Sequence, residues 1–517
     1  MQRALAALAA CRIRGAAPAL VVALIGLLLA GFFLVHCLDL RLYNVDADTQ
    51  LARAVDAVDH GHFSPVNNLI VAGVNLGPLG YLLSAVPLLF SRSLYGQYYF
   101  LSLLMLLAAP VMFFAARTIA PQGIFAAAAT FFYLFLSLYA YTPLVPEHTY
   151  YLPLGLAVYF FLLAKALARG ADWAALAAWV VAGLCMHLHM AAFTLLPASL
   201  IALWPAGKNW RRTAGYHALG LGLALALNWQ VIFQTWRLAR HGALAATVVA
   251  NPQVGGVPGF FAAHVAAFMH AAAVLFGDVV AGAMLLAAVF GVVTVVRNKK
   301  LRWLSATCLF IMGGDLVIFA VLSAFKAPGQ GLSMWYCYPA ILHVSILCGL
   351  ALDWLWQATA EINTPGRICR DIVVTVLIGG FLSFAVADQM RNRLEVCEKR
   401  PPDNIWLRDQ LRVAEAFYGY AQEHDLRDIS MRMTVVGRAP DIRTGFSLAT
   451  VIRHLHPDAA RRFSPAPRDE YAFKIMSKEI YGLRDAATAD EQLVSDLRVQ
   501  TSRCGCELER AVRRPLQ

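Results

Sequence analysis

Apolar runs of about 15–23 residues recur along this chain, and that length is what a helix needs to cross the hydrocarbon of a bilayer. They fall near 16–38, 98–116, 123–141, 150–166, 173–186, 190–204, 214–233, 279–296, 303–325, 338–352 and 372–388. Inside a bilayer every backbone polar group must be satisfied within the protein, so such runs fold as helices. A transmembrane barrel is excluded, because its strands are short alternating segments of weak hydropathy. The 517 residues are 59% hydrophobic and only 15% charged, against about 25% charged in soluble domains. Soluble enzymes, secreted disulfide scaffolds and disordered proteins are thereby excluded. Transporters, channels and membrane-embedded transferases remain. The expected fold is an all-α polytopic membrane bundle of about eleven spans.

The charge distribution sets the threading. The net charge of +11 is not a nucleic-acid signal: residues 389–517 hold 22 Lys/Arg against 19 Asp/Glu, and most other basic residues sit in short connections between apolar runs. The first run follows Arg3, Arg12 and Arg14 as a signal peptide would, but it is long and lacks a small-residue cleavage site, so it reads as an anchor with a cytoplasmic N-terminus. With eleven spans, fifteen Lys and Arg fall on the cytoplasmic side, among them Arg117, Lys165, Arg169, Arg211 and Arg212. Six fall outside: Arg41, Arg53, Arg92, Arg237, Arg240 and Lys326. This asymmetry obeys the positive-inside rule.

Within a transmembrane domain of residues 1–388, two exterior segments are too long to be simple connections. Residues 39–97 contain an amphipathic acidic stretch, 39–62, and an apolar piece, 77–90, broken by Pro78 and Pro87 and too short to cross, which read as helices lying along the membrane surface. Residues 234–278 contain the loop NPQVGGVPG and a further apolar helix over 260–276. Beyond residue 388 hydropathy collapses. Residues 389–517 read as a small α/β domain with a helix at 405–423, a strand at 432–436 and a turn at 437–441, placed outside the cytoplasm by the odd number of spans. There Cys397 is expected to pair with Cys504 or Cys506.

Ionisable groups at membrane depth or in the loops beside it are costly and therefore mark function. The main cluster is NVDADTQ, residues 44–50, directly after the first span. In an extended loop Asp46 and Asp48 point to one site, as a general base or a pair holding a divalent cation such as Mg or Mn. At a helix start one caps while the other projects. Glu147, with His148 beside it, opens the span at 150–166 as an acid or as a cap. His187 and His189 lie between two short spans, either as bundle histidines or as ligand groups. Arg237, Arg240 and Lys326 sit at the exterior face, where they meet lipid headgroups or a donor phosphate.

The order of these motifs resembles the polyprenyl-phosphate-dependent membrane glycosyltransferases with the GT-C fold, the superfamily of protein O-mannosyltransferases and lipid A aminoarabinose transferases. In that superfamily an Asp opens the first exterior loop, a Pro-Leu-Tyr-type helix closes it, and the next span ends in Ala-Arg-like residues. Asp46 or Asp48, then Pro78, Leu79 and Tyr81, then Ala115 to Arg117, stand in that order here. Glu147 fills the acidic place before the fourth span. His187 and His189 stand where many members have a Lys. Lys326, Tyr336, Tyr338 and Pro339 resemble the late loop that leads into a Tyr-rich span. The likeness covers roughly residues 16–352, and Ala47 departs from the usual acidic neighbour of the first Asp.

The resemblance implies a multi-pass enzyme of the bacterial inner membrane that moves a sugar from a polyprenyl-phosphate donor to an extracytoplasmic glycan, lipid or protein. It implies Asp46, Asp48 and Glu147 as catalytic groups, and Lys326, His187, His189, Arg237, Arg240, Tyr336 and Tyr338 at the donor. A lipid-linked oligosaccharide flippase and an oligosaccharide polymerase or ligase are the rival readings. Transporters tend to carry internal repeats with broken helices at the midplane, whereas here no repeat is visible and the charges gather at one face.

Overall fold

The computed structural model describes residues 45–67, 70–71, 74–120, 124–140, 147–201, 210–240 and 338–360, with four strands and scattered helical positions elsewhere. The expected spans at 16–38, 279–296, 303–325 and 372–388, the 260–276 helix and the Cys397 pairing lie wholly or mostly outside these residues.

In chain order the described elements begin with α1 (Val45–His60), a two-stranded ribbon β1 (Ile70–Val71) and β2 (Val74–Asn75), and α2 (Leu79–Leu88). The bundle follows: α3 (Leu94–Ile119), α4 (Phe125–Ala140), a 3-10 turn (His148–Tyr151) leading into α5 (Leu152–Arg169), and α6 (Asp172–Leu188). A second 3-10 turn (Met190–Thr194), α7 (Leu195–Ile201), α8 (Trp210–Leu227), α9 (Trp229–Arg240) and α10 (Tyr338–Ala360) complete it. Two described helices, Leu94–Ile119 and the continuous 148–169 piece, are long and apolar enough to cross a membrane. The 26 residues of α3 rise about 39 Å, more than the ~30 Å of hydrocarbon.

Sequence explains the helix ends. α3 buries Leu94, Tyr98, Leu101, Met105, Ala108, Met112 and Ala115, spaced by three or four as one helical stripe requires. Arg117 in its last turn complements the helix dipole. Pro153 in the first turn of α5 costs no hydrogen bond there, and Gly170 ends that helix at φ +63, a conformation natural to glycine.

Direction follows from bonds between helix ends. Asp172 at the start of α6 pairs with Arg212 at 3.0 Å and accepts Thr213 Oγ1 at 3.0 Å, both at the start of α8. At the other end Asn228 donates to Gly183 O at 2.9 Å. α6 and α8 therefore run parallel, and the chain between them must return, so 173–186 and 190–204 are two legs. α10 runs against α4, since the carboxylate of Asp353 receives the N–H groups of Ile124 at 2.9 Å and Phe125 at 3.2 Å. Arg117, Arg169 and Arg212 thus gather at one end of the bundle, and Glu147, His187, His189 and Asn228 at the other.

In the C-terminal region a four-stranded sheet has the order β4-β3-β5-β6. β3 (Ile429–Val436), which contains the strand expected at 432–436, pairs parallel with β5 (Asp469–Ser477). β5 pairs antiparallel with β6 (Cys506–Pro515), and β4 (Gly445–Phe446) pairs antiparallel with β3. Helical positions 411, 415, 418, 419, 422 and 423 fall within the helix expected at 405–423.

Candidate functional site

The site is built at the end of the bundle away from Arg117, Arg169 and Arg212. Residues 45–60 form a helix, as the amphipathic stretch suggests, so of the two alternatives for Asp46 and Asp48 the helix start applies. α1 buries Ala47, Gln50, Leu51, Ala54 and Ala57, one stripe of a helix at about 100° per residue. The Asp46 position lies one turn before Gln50, flanking that stripe. The Asp48 position falls about 200° further around the axis, so helical register puts the two positions on different faces of α1. Acidic residues in a first helical turn are favoured by the dipole in either case.

α1 is held by polar contacts to α2. Gln50 Nε2 donates to Ser84 Oγ at 2.5 Å, and Ser84 Oγ lies 3.0 Å from Tyr151 Oη. Gln97 Nε2 on α3 donates to Ser84 O at 2.9 Å. One buried serine thus ties together α1, α2, α3 and the turn before α5. The expected apolar helix at 77–90 is α2, with Tyr81 Oη donating to Ser64 O at 2.5 Å. Burial raises the Tyr81 phenol above its usual range, opposed by that hydrogen bond.

Before α2, the Asn67 N–H donates to Leu76 O at 2.8 Å and closes the neck of the β1–β2 ribbon. Gly77 then lies against His187: a Cβ there would approach the ring, 2.8 Å from Nδ1. Gly80, the second residue of α2, faces His148. Only glycine permits either approach.

Glu147 is buried and makes no capping hydrogen bond to the turn that follows it; its Oε1 accepts Thr149 Oγ1 at 2.8 Å. His148 is buried beside Gly80. His189 Nδ1 accepts the Ala191 N–H at 3.1 Å, which requires that nitrogen to be unprotonated. In this turn between two short spans, burial lowers the imidazole to about 4. His189 is therefore a neutral hydrogen-bonding group. His187 Nε2 donates to Leu227 O at 3.1 Å.

Arg237 is exposed on α9, 5.7 Å from the Phe233 ring centre. Trp229 and Trp236 flank Phe233 in an exposed aromatic series. Arg240 closes the same helix, and Tyr338 opens α10. Lys326 and Tyr336 lie outside the described residues. The structure thus brings Glu147, His148, His187 and His189 to one end with the first turns of α1. Asn67 and Ser84 are not singled out by the sequence; Gln50 stands there only as the end of NVDADTQ, and Tyr151 only as one of an interfacial tyrosine series. The one visible signal for Gln50 and Ser84 is a polar residue at helical spacing within an apolar stripe; Asn67, in a loop, has none.

No protein-family model and no curated protein matches this chain. Among solved structures, ArnT from Cupriavidus metallidurans bound to undecaprenyl phosphate is 16% identical, with a TM-score of 0.49 over 88% of this chain and 93% of that one. The same protein in the apo state gives 14% and 0.46 over the same shares. The apo oligosaccharyltransferase of Archaeoglobus fulgidus gives 12% and 0.45, covering 72% of this chain and 56% of that one. TM-scores below 0.5 carry no functional weight. The chemistry must come from this chain's own residues.

Proposed function

We propose that this chain is a membrane-embedded inverting glycosyltransferase that moves a sugar from a polyprenyl-phosphate donor to an extracytoplasmic acceptor. The observation that carries the proposal is the gathering of one carboxylate (Glu147) and three imidazoles (His148, His187, His189), all buried, with the first turns of α1 at the end of the bundle opposite Arg117, Arg169 and Arg212. A lipid phosphate keeps its headgroup at the membrane face, so reacting groups must collect at one end of the bundle, and the shared end of these four residues supports that reading.

In this reading Asp46 is the general base. It takes the proton of the acceptor hydroxyl as the oxygen attacks the anomeric carbon, an effect on the order of 10²–10⁴-fold. The bond to the phosphate oxygen breaks as the new glycosidic bond forms, so configuration inverts and no covalent enzyme intermediate arises. The departing polyprenyl phosphate gains charge, which Arg237, Arg240 and Lys326 stabilise. The histidines supply hydrogen bonds, with His189 neutral. Glu147 and Tyr336 with Tyr338 line the sugar and donor side.

A divalent cation, if used, is held by Asp46 or Asp48 with ligands from elsewhere, since the helical register turns the two positions apart. Among the described residues no group of three His, Cys, Asp or Glu is placed to hold a metal, and no step above runs through one. The proposal is tested by release of free polyprenyl phosphate from purified protein given lipid-phosphate sugars and candidate acceptors. Release that depends on Asp46 supports transfer; translocation of lipid without release across the panel favours a flippase.

A further inference from the structure

We infer that Asn67, with His148 beside it, holds hydroxyl groups of the transferred sugar; this rests on the glycosyl-transfer reading and names the part of the donor recognised. Asn67 is 0% exposed, and neither its amide nitrogen nor its amide oxygen has a partner in the protein. His148, 4% exposed, leaves its Nδ1 without a partner. Both meet over one glycine: a Cβ on Gly80 would lie 3.2 Å from Asn67 Nδ2 and 2.8 Å from His148 Cβ.

An asparagine used only to shape a loop turns its side chain onto nearby backbone. Asn67 does not: the ribbon neck is closed by its backbone N–H, which donates to Leu76 O. The amide itself is left over. A buried amide without partners destabilises the fold, and native proteins hold few of them. The chemistry of the orphan atoms selects the ligand. An amide presents donor and acceptor side by side without charge, and a sugar hydroxyl is both donor and acceptor. A phosphate would instead be met by cationic, charge-assisted donors.

Position supports the same class. Gln50 Oε1 lies 3.0 Å from the same Gly80 point, and the Asp46 position is one helical turn, about 5.4 Å of rise, before Gln50. In this inference the sugar lies between the Gly80 point and the Asp46 position, with its hydroxyls at Asn67 and its anomeric carbon toward the base. Asn67 is enclosed, so sugar binding at this site requires α2 to open from the ribbon neck, with pairing of the amide offsetting part of that cost.

The test uses full-length protein in nanodiscs and the substitution Asn67→Leu, with Asn67→Ala deleting the same amide should leucine disturb folding. Two quantities are read: the thermal midpoint without ligand, and binding of undecaprenyl phosphate compared with undecaprenyl phosphate carrying glucose, mannose, galactose, arabinose or ribose. The expected result is a raised midpoint, unchanged binding of the bare lipid phosphate, and a tenfold or greater loss of the extra affinity that the wild type shows for its sugar-bearing lipid. A lowered midpoint with Asn67→Ala as well as Asn67→Leu, or a sugar preference that survives both, overturns the inference and assigns the amide a structural role. Equal wild-type affinity for bare and sugar-bearing lipids overturns the inference while leaving the transfer reading standing. Failure of the wild type to bind any lipid phosphate overturns both.

Discussion

The imidazole of His187 lies against the backbone of Gly77, held there by its Nε2 donating to Leu227 O at 3.1 Å. The packing fixes α6 against the ribbon that precedes α2. Gly77→Ala forces the ring or the ribbon to move, at about 1–3 kcal/mol for overpacking. The expected outcome is folded protein with transfer reduced tenfold or more, read by release of polyprenyl phosphate beside a thermal melt. Unaltered transfer at wild-type stability would show that this contact does not shape the site.

The helical register of α1 separates two carboxylates that look equivalent in sequence. Asp46→Asn is expected to lower turnover by ~10² or more with donor binding kept, as loss of a general base does. Asp48→Asn should stay within about threefold of wild type, since its position on α1 is turned away from Gln50. Turnover assays on the two single variants decide it. Equal large losses in both would favour a shared metal and sink the register argument.

Ser84 bonds to Gln50 and lies beside Tyr151. Ser84→Ala leaves the partner atoms buried, at about 1–3 kcal/mol. Because the three groups form one chain, Ser84→Ala combined with Tyr151→Phe should cost less than the sum of the single changes. Additive losses in a denaturation double-mutant cycle would mean that the hydroxyls act separately.

Asp353 caps α4 from another helix. Asp353→Ala is expected to cost about 1–2 kcal/mol of stability, the range for loss of a helix cap, without changing the affinity for lipid phosphate, because it lies at the opposite end from the site. A selective loss of lipid binding at unchanged stability would contradict that placement.

Topology can be checked directly. Reporter fusions after Arg212, Lys300 and Arg391 should read inside, inside and outside. A cytoplasmic result at Arg391 would overturn the eleven-span threading and, with it, the expectation of a disulfide in the last domain.

Sequence alone determined the helical membrane character, because hydropathy and run length are properties of consecutive residues, and basic residues in short loops report sidedness without any packing. The place of Glu147, His187 and His189 at one face was legible for the same reason: each follows or precedes a run whose direction the charges set. Tertiary structure decided the rest. Whether Asp46 and Asp48 share a direction depends on residues 45–60 being helical, and the flanking sequence is amphipathic enough to suit a surface loop or a helix. Gln50, Ser84 and Tyr151 are far apart in the chain and meet only because α2 folds across α1 and α5. Asn67 is an ordinary loop residue in sequence, and its unpaired amide exists only once α2, carrying Gly80, closes over it. Hydrogen-bond satisfaction depends on three-dimensional neighbours, so no local pattern could have revealed it.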